Sequence, residues 1–145
     1  MTKLGEITVN GKSVSVFQKP HDEPDFPWVD VEELAKAFLP RSRARRIVSL
    51  TQRFGEAEGQ RACATARNGD RIATIICHAM AQGLCGLIDV EAGYHADEPG
   101  PAHTNYSAAL GGFIHDKGLM SLEDMIAAFK NSGGPSLRAF REGAE

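Results

Sequence analysis

The sequence predicts an α+β fold on three observations. Two Asn-Gly pairs, Asn10-Gly11 and Asn68-Gly69, each sit between β-rich runs and mark hairpins. Five other segments repeat apolar residues at the spacing of amphipathic helices. Fifteen glycines and seven prolines in 145 residues favour many turns over a long-helix bundle. The expected arrangement is two β-hairpins forming a small antiparallel sheet, packed by amphipathic helices and followed by a C-terminal helical pair. Neither half is large enough to hold a core alone. Residues 1–145 are therefore read as one α+β domain, with a core over 5–90 and a helical extension over 104–142.

The elements follow in order. A two-residue loop at Asn10-Gly11 pairs Ile7 with Val14 and places Val9 and Val16 on the same apolar face, which sets the register. Residues 19–27 carry three prolines and three acids and read as a loop that delivers Trp28 and Val29 to a helix start. Asp30 with Glu33 has the pattern of an N-cap and capping box, and Val31, Leu34, Ala35 and Phe38 form one apolar side before Pro40. A second helix is expected from Ser42 to Phe54, stopped by Gly55. Steps of about 100° per residue put Ile47, Leu50 and Phe54 in an inward stripe, with Arg45, Arg46, Ser49, Gln52 and Arg53 on the opposite arc.

A loop at Asn68-Gly69 in the second hairpin would set Arg67 opposite Asp70. Residues 78–88 read as a helix with Met80, Ala81, Leu84, Leu87 and Ile88 inward, and residues 89–103 as a loop. Thr104 is the expected cap of a helix carrying Tyr106, Leu110, Phe113 and Ile114, with Gly118 as its stop. Ser121 opens a last helix with Leu122, Met125, Ile126 and Phe129 on one side. Met120 and Met125 hold its hydrophobic-staple positions, and Gly133-Gly134-Pro135 ends it.

Charge is unevenly distributed. Residues 41–71 hold eight of the sixteen basic residues, all arginine, against Glu56, Glu58 and Asp70, a local balance of +5 inside a formal total of −3. Guanidinium groups bind phosphate or a guanine edge in bidentate fashion, so this segment offers a patch for an anionic partner. Arg43, Arg45, Arg46 and Arg53, with Arg61, Arg67 and Arg71 of the second hairpin, are the candidate phosphate contacts. Ser49 and Gln52 are the candidates for base edges. The alternative is the solvated side of an ordinary amphipathic helix.

Two motifs carry a family resemblance. Pro27-Trp28-Val29-Asp30-Val31-Glu32-Glu33-Leu34-Ala35 resembles the P-W-F-V-A-x-D-V-A opening of phage antirepressor N-terminal domains of the Bro/KilA type. Gln82-Gly83-Leu84-Cys85-Gly86-Leu87-Ile88 is similar to their E-S-G-L-Y-x-L-I helix, with Cys85 where the family has tyrosine. The resemblance covers roughly residues 5–90. It implies a small α+β DNA-binding domain of phage and prophage regulators.

Other chemistries are weaker. Cys63, Cys77 and Cys85 lie in apolar patterns, where cysteine is usually structural, and Cys77-His78 adjacency does not make a nucleophile pair because neighbouring helical side chains diverge. His95, His103 and His115 with Asp97 are candidate metal ligands, but their spacing matches no tight pair. The acids Asp22, Glu23, Asp25, Asp30, Glu32 and Glu33 read as solvated surface and helix capping, or as mimicry of a DNA backbone. No apolar run approaches ~18 residues, and no signal-peptide layout opens the chain, so a cytoplasmic protein with reduced thiols is expected. The resulting expectation is a non-enzymatic DNA-binding or regulatory protein of phage type, without metal or cofactor. The alternative is a phage accessory module that blocks a host complex through protein contacts. A homodimer would suit a repressor-like role, although no heptad repeat demands one.

Overall fold

The computed structural model describes residues 2–56, 62–95 and 97–131. Its first hairpin, β1 (Lys3–Val9) and β2 (Lys12–Phe17), turns at Asn10 (φ 52°) and Gly11 (φ 76°), the two positive angles of a type I′ turn. Ile7 pairs with Val14 and Val9 with Lys12, as the turn chemistry requires. Ile7, Val9, Val14 and Val16 are all buried.

Trp28 and Val29, expected at a helix start, form a short strand instead, β3 (Trp28–Asp30). It pairs with β2 on one side, and on the other with β5 (Arg71–Ile76) of the hairpin made with β4 (Cys63–Asn68). One five-stranded antiparallel sheet results, in the order β1-β2-β3-β5-β4. The two hairpins are thus joined through three residues whose side chains are all buried. Three residues are too few to show a strand period, which is why the segment reads as loop and helix.

Beyond Asp30 the chain leaves the sheet as α1 (Val31–Lys36), and side chains of Asp30, Glu33 and Asn68 link β2 to the second hairpin. Asp30 caps the helix by accepting from the Glu33 amide at 3.2 Å. The Glu33 carboxylate does not return to the cap; it accepts from the Ser15 amide at 2.8 Å. Asn68 Nδ2 donates to Asp30 Oδ2 at 2.9 Å and to Ser15 Oγ at 3.0 Å. The Glu33 bond serves a backbone amide of β2 beyond the last residue that β3 pairs, and the Asn68 bonds tie the second hairpin to the same spot.

The same network corrects the second hairpin. Its loop is Gly69-Asp70, not Asn68-Gly69, and Asn68 pairs with Arg71 while Arg67 faces Ile72. Only Gly69 of the two loop residues has positive φ (65°), the pattern of a type II′ turn with glycine first. Asn68 is drawn into the strand because its amide is needed at Asp30.

Helix α2 (Arg41–Glu56) runs through Gly55 rather than stopping there. α3 (His78–Glu91) extends past Ile88, and α4 (Pro101–Lys117) begins three residues before Thr104. The cap of α4 comes from elsewhere: Asp89 accepts from the amides of Ala102 (2.8 Å) and His103 (3.0 Å). Gly118 ends α4 in the left-handed region (φ 58°), as expected. Ser121 and Asp124 exchange bonds of 3.0 and 2.9 Å to open α5 (Leu122–Asn131). Tyr106, Leu110, Phe113 and Ile114 of α4 share one cluster with Val14, Val16, Leu34 and Ile76. Residues 133–135 lie outside the described residues.

Leu50 and Leu87 do not point inward as expected. Leu50 is 45% exposed, Leu87 is 68% exposed, and Leu122, Ile126 and Phe129 of α5 are exposed. α2 instead buries Ala44 and Thr51, while α3 buries Ala81 and Ile88 as expected, with Cys85 beside them. Small residues let each helix lie close to its neighbours, turning the bulkier apolar line aside.

Candidate nucleic-acid interface

α2 is held by its Ala44–Thr51 line, and Thr51 anchors it to the sheet by accepting from Cys63 Sγ at 3.5 Å. That contact turns the arc of Arg45, Arg46, Ser49, Gln52 and Arg53 to solvent, and all five are exposed. No carboxylate pairs with Arg45, Arg46 or Arg53 among the described residues, so three guanidinium groups present their donors outward within about two and a half turns. Gln52 Nε2 donates to Thr74 Oγ1 of β5 at 3.0 Å, tying its head to the sheet. Alternation along β4 puts Arg67 on the face that carries Thr65 and Cys63, the face α2 covers, and Arg67 is exposed there.

The remaining candidates are placed differently. Arg43 spans the space between helices and pairs with Glu91 of α3 at 2.6 Å. Arg71 points to the opposite face of the sheet, where it meets Asp30 at 2.5 Å, Glu32 at 3.0 Å and Glu33 at 3.8 Å. Partial burial alone would lower its pKa, but the hydrogen bond to Asp30 and the three carboxylates outweigh that and raise it. Its charge is matched inside the fold. Arg61 lies outside the described residues. The structure therefore places Arg45, Arg46, Ser49, Gln52 and Arg53 on one exposed arc of α2, with Arg67 exposed on the sheet face that α2 covers, and leaves Arg43 and Arg71 in ion pairs.

The acidic cluster is partly interior. Asp25 is buried and accepts from the Trp28 indole at 3.0 Å and the Phe26 amide at 2.9 Å, with the His21 ring at 3.1 Å. Asp30 is fully buried. Neither belongs to a solvated acidic face.

Cys77 and Cys85 are buried, and burial pushes both thiols up to about 12, which keeps them protonated at neutral pH. His78 faces the Tyr106 hydroxyl at 2.7 Å, and burial, with the charge of His103, lowers its pKa to about 4. His95, Asp97 and His103 line one shallow cavity of about 280 Å³, while His115 pairs with Asp116 on the surface. No group of three such side chains could hold a metal ion among the described residues. No helix among them is long and apolar enough to cross a membrane.

The arrangement defines an α+β protein with an arginine-bearing helix on one sheet face. No family model, curated protein or solved structure matches the chain.

Proposed function

We propose that this chain is a small DNA-binding regulatory protein of the phage antirepressor type. The observation that carries the reading is the outward arc of α2, with Arg45, Arg46 and Arg53 exposed and without carboxylate partners among the described residues. Arg67 extends the arc from the neighbouring strand. These arginines contact phosphates, and Ser49 supplies a short donor and acceptor toward base edges. Gln52 reaches a base only by giving up Thr74.

The test is a fluorescence-anisotropy titration with a mixed-sequence duplex at ~50 and ~200 mM salt. Four phosphate contacts predict a slope near −3.6 in log affinity against log salt, or about two orders of magnitude between those conditions. Replacing Arg46 or Arg53 by alanine lowers the slope by ~1 for each. Absence of binding at ~50 mM salt, or affinity unchanged by both substitutions, overturns the assignment. Binding to a protein partner with little salt dependence would favour the interaction-module alternative.

A further inference from the structure

A second surface lies beside the arginine arc. α2 and α3 border a groove of about 640 Å³, with Ile47 and Leu84 in its floor and Leu50, Leu87 and Val90 raised and exposed along it. The outward face of α3 follows Gly83, Leu87 and Val90 at helical spacing, and Glu91 is the only charge beside it. Open space stands next to Gly83, so another helix can approach the backbone closely there. Contiguous exposed apolar surface with a polar rim is the mark of an association site.

The rims identify the occupant. α2 supplies Arg43 and Arg46, and α3 supplies Glu91. Arg43 already reaches Glu91 across the groove at 2.6 Å, so the opposite charges stand level with each other. A two-fold axis along the groove lays α2 of one copy on α3 of the other. It then sets Arg43 opposite Glu91 of the partner subunit, and Leu50 against Leu87 of the partner subunit. An axis across the groove would oppose arginine to arginine. The surface is thus complementary to itself, as an isologous interface requires.

We infer that this groove is the dimer interface between two copies of the chain, formed by α2 and α3 through Leu50, Leu87, Val90, Arg43 and Glu91. The dimer forms without DNA and does not depend on the DNA-binding reading. It would carry two arginine arcs.

Sedimentation equilibrium of the full chain, without DNA, tests this between ~5 and ~500 μM. The expected result is a concentration-dependent rise from 15.6 kDa to twice that mass. Leu87→Glu holds the protein at monomer mass with an unchanged circular dichroism spectrum, because Leu87 is already exposed. Glu91→Arg and Arg43→Glu singly raise the dissociation constant at least tenfold, and the two together restore the dimer. A monomer mass at every concentration overturns the inference, and so does a dimer that Leu87→Glu leaves intact. Should Leu87→Glu unfold the chain, the charge exchange decides alone.

Discussion

Arg71 Nη2 lies 2.5 Å from Asp30 Oδ2, while the other oxygen of that carboxylate caps α1 by accepting from the Glu33 amide. One fully buried side chain therefore joins the β4–β5 hairpin, the central strand and the first helix. A cluster of polar side chains links the strands where β3 ends, so its integrity should govern folding more than binding.

Arg71→Ala leaves the Asp30 carboxylate buried with Asn68 and the helix amide as its remaining partners. Breaking a buried pair in this way costs about 3 kcal/mol, at the low end of the usual range because the Arg71 side chain is 39% exposed. Arg53→Ala, on the outward arc, should change stability by less than about 0.5 kcal/mol. Urea unfolding of the two variants checks the contrast. Equal stabilities would show that the Asp30 network does not hold the sheet together.

Gly100 is required by proximity. A Cβ at that position would fall 2.4 Å from Cγ of Asp89, the residue that caps α4. Gly100→Ala must displace either the carboxylate or the helix N-terminus, and a loss of about 1–3 kcal/mol is expected. Gly83→Ala, where nothing stands within 4 Å, serves as the control, and thermal unfolding should separate the two.

The protein should lose stability on mild acidification. The unfolded chain protonates His78 near its ordinary 6.5, whereas the folded chain does so only near 4, because burial disfavours the charged ring. The unfolded state binds the proton first, so stability falls from about pH 6.5 downward and levels off below about pH 4. The loss reaches at most about 3 kcal/mol, less in proportion to the partial exposure of the ring. His78→Gln keeps a partner for Tyr106 and removes the titration. Its stability should vary less over that window, as read by urea midpoints at pH 7, 5.5 and 4.5.

Much of the architecture was legible in the chain. Asn10-Gly11 specified both turn and register because only a few residues tolerate two positive φ angles. Gly118 ended α4 for a related reason. Where signals competed, the local reading failed. Asn68-Gly69 looked like the first turn, yet Asn68 has a tertiary task at Asp30 and the loop moved by one residue. Thr104 is an ordinary cap residue, but the helix begins at Pro101 because Asp89, in the last turn of α3, supplies the cap. Leu50 and Leu87 fitted their helical stripes by spacing, though spacing does not say which part of a wide apolar arc meets the core.

The arginine arc divides in the same way. Spacing alone puts Arg45, Arg46, Ser49 and Arg53 on one side of a helix, because helical geometry is local and periodic. Packing across the fold settles which of the described arginines face outward without carboxylate partners among the described residues. Arg43 and Arg71 are paired by Glu91 and Asp30, residues forty or more positions away, and Arg67 joins the arc through sheet register. Charge neutralisation depends on distances of a few ångströms across the fold, and those distances are set by packing.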